Sequence, residues 1–69
     1  MILLDVLQAI SGNKGVNITL IDNEGTVLIT FNAAGYKAVE EDICNRKVKR
    51  IKIESATDLT IYIEDEDTP

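Results

Sequence analysis

The sequence predicts a single α+β domain with the order α-β-β-α-β-β, in which a four-stranded antiparallel sheet carries both helices on one face. Two observations predict this class. Apolar residues recur at helical spacing near the start of the chain, and they alternate with polar residues in two later pairs of segments. A chain of 69 residues has no room for a second hydrophobic core. We therefore expect one domain over residues 1–63, followed by an acidic, flexible tail over residues 64–69.

The first element is predicted to be a helix that ends at Ser11-Gly12. Its apolar residues have the spacing i, i+1, i+4, i+5 and i+8, which places them on one helical face. They are Ile2, Leu3, Val6, Leu7 and Ile10. Gly12 suits the end of the helix because glycine readily takes the left-handed conformation of a C-cap.

A β-hairpin is predicted next. Apolar and polar residues alternate in two segments, and the turn-forming residues Asp22-Asn23-Glu24-Gly25 separate these segments. The apolar positions are Val16, Ile18 and Leu20 in the first strand, and Val27, Ile29 and Phe31 in the second. This period of two is typical of strands with one buried face.

The second half repeats the helix and hairpin pattern. Asn32-Ala33-Ala34-Gly35 breaks the second strand, and a short helix is expected from Tyr36 to Asn45. A second hairpin follows, in which Ile51 and Ile53 face Leu59, Ile61 and Ile63 across the turn Ser55-Ala56-Thr57. Val48 lies three residues before Ile51, out of phase with strict alternation. This predicts either a β-bulge at Lys49-Arg50 or a strand that starts later.

The strand phases predict a core and an opposite face. Leu7, Ile18, Ile29, Ile51 and Ile61 are expected to be nearly fully buried. The residues predicted on the opposite face are Asn17, Thr19, Ile21, Leu28, Thr30, Arg50, Lys52, Thr60 and Tyr62. Three of them, Ile21, Leu28 and Tyr62, would form an exposed apolar patch that needs cover. We therefore expect a homo-oligomer, which would also add stability to a domain this small.

Composition excludes several classes of function. The net charge is −5 and the pI is about 4.4, which argues against direct binding to nucleic acid, a task that needs a broad cationic face. With no histidine and one cysteine, an ordinary zinc site is not expected, nor is another metal or cofactor. Residues 1–10 are too short to span a bilayer and lack the flanks of a signal peptide. The lone thiol of Cys44 suits the cytoplasm.

The positive charge is concentrated in one segment, because five of the seven basic residues lie within residues 46–52. One interpretation is that these are edge-strand cations that discourage aggregation of sheets. A second interpretation is an anion site, in which Arg50, Lys52 and Lys49 bind a phosphate and Tyr62 stacks on a base. A third account is that the acidic tail neutralises the segment.

The remaining chemical signals favour plain structural roles. Ser11 to Gly15 lacks the spacing of a phosphate loop and follows a helix instead of preceding one. The acidic run Glu40 to Asp42 is typical of a solvated helix face, and Cys44 has no histidine to act as its base. Because a chain this short has little room for a deep pocket that excludes water, we do not expect an enzyme.

The segments Phe31 to Tyr36 and Arg46 to Ile51, set within this element order, carry a resemblance to a class of proteins. The chain resembles short uncharacterised proteins of phages and prophages of Gram-positive bacteria (Firmicutes), in which a Leu-rich helix precedes a hairpin, a linker and a second Val/Ile-rich hairpin. The resemblance implies a phage origin and action in the cytoplasm of the host cell. Some such proteins counter host defence by sequestering a nucleotide signal or by blocking a defence protein.

Three functions remain open from the sequence. The first is an oligomeric, non-enzymatic protein that sequesters a small anionic ligand of the nucleotide type. The second is an inhibitor that uses its acidic surface to block the nucleic-acid site of a partner such as a host defence protein. The third is a phage accessory protein with no ligand.

Overall fold

The computed structural model describes residues 1–64, which form helices and a four-stranded sheet in the predicted order. Its elements are α1 (Leu3–Ile10), β1 (Asn17–Ile21), β2 (Val27–Asn32), a 3-10 helix (Ala33–Ala38), α2 (Glu41–Cys44), β3 (Val48–Ile53) and β4 (Asp58–Ile63). The α+β class is confirmed. The predicted tail begins after β4 at Glu64, and its residues 65–69 lie outside the described part of the chain.

The sheet is mixed, so the expectation of a purely antiparallel sheet is wrong in this detail. Its strand order is β2-β1-β4-β3. Both hairpins are antiparallel, but β1 and β4 pair in parallel. The reason lies in residues 33–47, which connect β2 to β3. This segment exceeds the dozen or so residues that a crossover between strands of the same direction needs.

The second helix is split, in contrast to the single helix expected from Tyr36 to Asn45. Asn32 caps the 3-10 helix, since its Oδ1 accepts a hydrogen bond from the backbone N–H of Ala34 at 3.0 Å. Val39 then takes an extended conformation, with φ −76° and ψ 133°, and its side chain is buried. The helix is therefore interrupted at Val39, and α2 consists of a single turn, Glu41–Cys44.

The core lies between the helices and one face of the sheet. Its buried side chains are Leu3, Val6, Leu7, Ile18, Leu20, Ala33, Val39, Cys44, Ile61 and Ile63. All of its strand residues belong to β1 and β4, the two central strands. Burying a large aliphatic side chain contributes about 1.5–3 kcal/mol, so this cluster supplies most of the hydrophobic stabilisation.

Three of the five predicted core residues are confirmed and two are not. Leu7, Ile18 and Ile61 are fully buried, whereas Ile29 is half-buried and Ile51 is 43% exposed. The strand phase is right, because Ile51 lies opposite Ile61 and Ile29 lies opposite Leu20. Both exceptions lie on outer strands, so the error concerns how far the short helices reach across the sheet.

No helix in the described part of the chain, residues 1–64, has the length and apolar character needed to cross a membrane.

Candidate functional site

A β-bulge in β3 determines which way the basic side chains point. Val48 lies opposite Ile63, and the next paired residue is Arg50, opposite Tyr62, so Lys49 is the additional residue. Val48 packs against the core. Under strict alternation Arg50 would lie on the same face as Val48. The extra residue moves Arg50 to the open face of the sheet, which confirms the bulge predicted at Lys49-Arg50.

Arg50 and Tyr62 form a cation–π pair on this open face. The guanidinium carbon of Arg50 lies 4.4 Å from the centre of the Tyr62 ring. Arg50 is exposed and Tyr62 is half-buried. Arg50 forms no ion pair with a carboxylate of residues 1–64, so its guanidinium N–H donors are available to an acceptor.

The turn between β1 and β2 forms the opposite wall. Asp22 Oδ1 accepts hydrogen bonds from the backbone N–H groups of Glu24 and Thr26, both at 2.9 Å. Gly25 has φ +85°, a left-handed conformation that favours glycine. These features fix the turn, and Lys49 Nζ reaches across to donate a hydrogen bond to Asn23 Oδ1 at 3.0 Å.

The turn between β1 and β2 and the start of β3 border an open depression of about 370 Å³, which we name the turn–strand cleft. Its lining residues are Asp22, Asn23, Gly25, Lys49, Arg50 and Tyr62. The parallel pairing of β1 with β4 explains why they meet. Both strands point the same way, so the turn that follows β1 lies at the end of the sheet where Tyr62 and the start of β3 also lie.

The cleft brings together three of the four predicted ligand residues. Lys49, Arg50 and Tyr62 line it, but Lys52 does not. Lys52 Nζ lies 3.6 Å from Glu54 Oε1, and that same carboxylate oxygen accepts a hydrogen bond from Thr60 Oγ1 at 3.2 Å. Lys52 is therefore on the predicted face of the sheet, opposite Thr60, but displaced from the cleft along β3.

Sequence reasoning missed the contribution of the turn residues Asp22, Asn23 and Gly25 to the cleft. It assigned them to the hairpin turn, which is correct. Their proximity to Lys49 depends on how the two hairpins pair, and nothing in the local pattern of either hairpin reports that pairing.

The predicted interface residues do not form one patch. Ile21 lies beside Tyr62 on the neighbouring strand, and both are half-buried. Leu28 instead packs against the core. The cause is an irregularity in the first hairpin, where Leu20 pairs with Ile29 and Ile21 with Val27, so that Leu28 falls out of the regular alternation. The expected phase of Leu28 is therefore wrong.

The other chemical candidates retain structural roles. Cys44 is buried, its Sγ lies 3.8 Å from the carbonyl oxygen of Val39, and burial, with a smaller effect from the charge of Glu41, raises the pKa of the thiol. A thiol with a raised pKa is a poor nucleophile at neutral pH. Within residues 1–64, no three carboxylate or cysteine side chains lie close enough together to hold a metal ion.

The segment from Ser11 to Gly15 is a turn bound to the end of α1. Ser11 Oγ donates to the carbonyl oxygen of Gln8 at 3.0 Å, and the Asn13 amide donates to that of Ile10 at 3.3 Å. These side chains satisfy carbonyl groups at the end of the helix, which is the ordinary role of polar residues after a helix.

The start of the acidic tail lies near the first residues of the basic segment. The backbone N–H of Glu64 donates to the carbonyl oxygen of Lys47 at 2.9 Å. Arg46 Nε is buried and has no hydrogen-bond partner within residues 1–64. Neutralisation of the basic segment by its own tail therefore remains a rival to ligand binding, and it predicts a different effect of tail deletion.

Comparison of the chain with family models, curated proteins and solved structures found no match.

Proposed function

We propose that this protein is a non-enzymatic binding protein that holds a small anionic ligand of the nucleotide class in the turn–strand cleft. One observation carries the proposal. Arg50 stacks on Tyr62 beside Lys49, so that two cations and an aromatic ring line the same depression. Cations with free donors next to an aromatic surface suit a ligand that combines phosphate with a planar base.

The phosphate group would lie between Lys49 and Arg50. Lys49 has three N–H donors, of which one is directed to Asn23. Arg50 is in no ion pair with the carboxylates of residues 1–64, so its guanidinium donors are available to the phosphate. Charge-assisted hydrogen bonds from these groups contribute about 1.5–3 kcal/mol each.

The base and sugar would use the remaining walls. The Arg50 guanidinium group and the half-buried Tyr62 ring offer flat surfaces on which a base can stack. Asp22 uses Oδ1 to accept two backbone N–H groups, and its other oxygen can accept from an amino or hydroxyl group. The same carboxylate repels phosphate, so it orients the ligand with its phosphate toward β3.

We propose further that the protein acts as a homo-oligomer. The cleft is an open depression, whereas sites that retain small molecules usually bury about 70–90% of the ligand surface. A second subunit placed over Ile21 and Tyr62 would provide that cover and would bring a second set of cations near the ligand. On this proposal the protein sequesters its ligand in the cytoplasm, in keeping with the phage resemblance and a counter-defence role.

Thermal denaturation with a panel of anions tests the ligand proposal. Inorganic phosphate, nucleoside mono-, di- and triphosphates and cyclic dinucleotides would each be added to the full chain. We expect at least one nucleotide to raise the Tm, and Arg50→Ala to remove this shift. Lys37→Ala is the matched control, because Lys37 is an exposed cation outside the cleft. No shift with any nucleotide, or a shift that survives in Arg50→Ala, contradicts the proposal.

Light scattering tests the oligomer separately. At micromolar concentration the mass should be a multiple of the subunit mass of 7.6 kDa, and Tyr62→Glu should reduce it. A single-subunit mass would refute the oligomer and leave the ligand experiment to be judged on its own result.

A second function is favoured by the acidic residues before and within α2. Glu40, Glu41 and Asp42 are all exposed, and none is in an ion pair with a cation of residues 1–64. Such a surface suits an inhibitor that occupies the basic site of a partner protein. A charge-reversal variant distinguishes the two functions. The double variant Glu41→Lys/Asp42→Lys should abolish partner binding and leave a nucleotide-induced Tm shift intact.

A further inference from the structure

The outer edge of β3 is the least protected part of the sheet. Within residues 1–64, only the short segment at Met1 and Ile2 pairs with this edge, through hydrogen bonds that end at Val48. From Lys49 to Ile53 no described strand lies beyond β3. A free edge presents backbone N–H and C=O groups that can pair with another extended chain.

The two faces of this edge differ in chemistry. On the helix side, Ile51 is 43% exposed and Ile53 is 76% exposed. Beside Ile53 lies an apolar depression of about 200 Å³ lined in part by Ile10, Val16 and Leu59. On the open side lie Arg50 and Lys52. An added strand would therefore meet apolar surface with one set of alternating side chains and positive charge with the other.

A second copy of the chain fits this edge poorly. Antiparallel pairing of two β3 strands about Ile51 would place Arg50 of each copy opposite Lys52 of the other, and like charges in opposed positions destabilise a sheet. The other edge strand, β2, has no charged residue between Val27 and Asn32 and so offers no complement to these cations.

We propose that the edge of β3 from Lys49 to Ile53 binds an extended segment of a partner protein in which acidic and apolar residues alternate. The segment adds to the sheet as a fifth main strand. Its apolar side chains cover Ile51 and Ile53, and its carboxylates face Arg50 and Lys52. Backbone pairing supplies affinity, and the alternation of side chains supplies specificity. The edge shares Lys49 and Arg50 with the turn–strand cleft, whereas Lys52 and Ile53 lie outside the cleft, so variants at these two positions test strand addition apart from ligand binding.

The test uses a fluorescent peptide of alternating glutamate and valine and measures its anisotropy with the full chain. We expect saturable binding that Lys52→Glu and Ile53→Thr each weaken by about tenfold, equivalent to about 1.4 kcal/mol. The matched controls are Lys37→Glu, which makes the same charge change elsewhere, and Val27→Thr, which alters an exposed residue on the other edge strand. Both should bind the peptide as the parent chain does.

A second peptide separates strand addition from simple charge attraction. It has the same side chains, but alternate backbone nitrogens are methylated, which blocks pairing with β3. Strand addition requires that this peptide fail to bind. Equal binding of both peptides, or binding that Lys52→Glu and Ile53→Thr leave unchanged, overturns the proposal. So does binding that is seen only after residues 65–69 are removed, because the occupant would then be the chain's own tail.

Discussion

The two outer strands, β2 and β3, face different surroundings although both flank the same central pair. Leu28, Ile29 and Phe31 of β2 pack against the core, and the 3-10 helix follows this strand directly. In β3 only Val48 packs against the core, while Ile51 and Ile53 are exposed and the cations occupy the other face. The comparison indicates that β2 contributes more to the core than β3 does, and that most of the surface of β3 is exposed.

The largest expected effects come from a graded series of alanine substitutions. Ile61→Ala in a central strand should lower the free energy of unfolding by about 2–5 kcal/mol, because it leaves a cavity in the core. Phe31→Ala in β2 should cost about 1–3 kcal/mol, since this side chain is only half-buried. Ile53→Ala in β3 should change stability by no more than about 0.5 kcal/mol. Urea denaturation gives all three values. A large loss of unfolding free energy for Ile53→Ala would contradict the difference between the two outer strands.

A second expectation concerns the turn between β1 and β2, which forms one wall of the cleft. Gly25→Ala should destabilise the protein by about 1–2 kcal/mol, because its φ of +85° is unfavourable for any residue with a Cβ atom. No atom lies within 4 Å of the added Cβ, so the cost is in the backbone alone.

Gly35→Ala is the control for Gly25→Ala. Gly35 has φ −99° and is equally open around its Cβ position, so it should tolerate alanine. Thermal denaturation of both variants measures the difference. If both lose the same stability, the left-handed conformation at Gly25 is not the cause.

The cation–π pair of β3 and β4 should have a smaller effect on stability than on binding. Arg50→Ala should lower the free energy of unfolding by about 0.5–1 kcal/mol, the usual value of an exposed cation–π contact. Lys52→Ala, which loses only an exposed ion pair, should cost less. A loss above about 2 kcal/mol for Arg50→Ala would mean that Arg50 is a structural residue, contrary to its proposed role in ligand binding.

The smallest effect concerns the pH dependence of stability that arises from the buried thiol of Cys44, the last residue of α2. Burial raises the pKa of Cys44 above its ordinary value of 9.0. The folded state therefore keeps a proton that the unfolded state loses as the pH rises. The resulting stability is fully present below the pKa of the unfolded thiol and is lost as the pH rises through that of the folded thiol.

Cys44→Ala should remove this contribution. The free energy of unfolding of the parent chain should therefore fall more steeply above pH 9 than that of the variant. Parallel slopes for the two proteins in denaturant titrations at several pH values would show that the thiol is not desolvated.

Local pattern was sufficient to predict much of the fold. Helical spacing located α1, period-two alternation located both hairpins, and the position of Val48 relative to Ile51 indicated the bulge at Lys49-Arg50. Each of these depends on residues a few positions apart, where side-chain direction follows from backbone geometry. Alternation with Ile51 also correctly predicted that Arg50 would share a face with Tyr62.

Features that depend on distant residues were not predictable in the same way. The parallel pairing of β1 with β4 is set by the path of residues 33–47, and it brings Asn23 next to Lys49. The exposure of Ile51 depends on how far the helices extend over β3, which periodicity does not report. Half of the cleft was therefore predicted from sequence, and the other half became visible only in three dimensions.

Two-dimensional NMR titration with the nucleotide panel tests the central claim most directly, that the turn–strand cleft binds a small anion. The account predicts saturable shifts of the backbone amides of Asn23, Gly25, Lys49, Arg50 and Tyr62 with at least one nucleotide, and their loss in Arg50→Ala. If no nucleotide gives saturable shifts, or if the shifts lie outside the cleft and persist in Arg50→Ala, the claim is wrong.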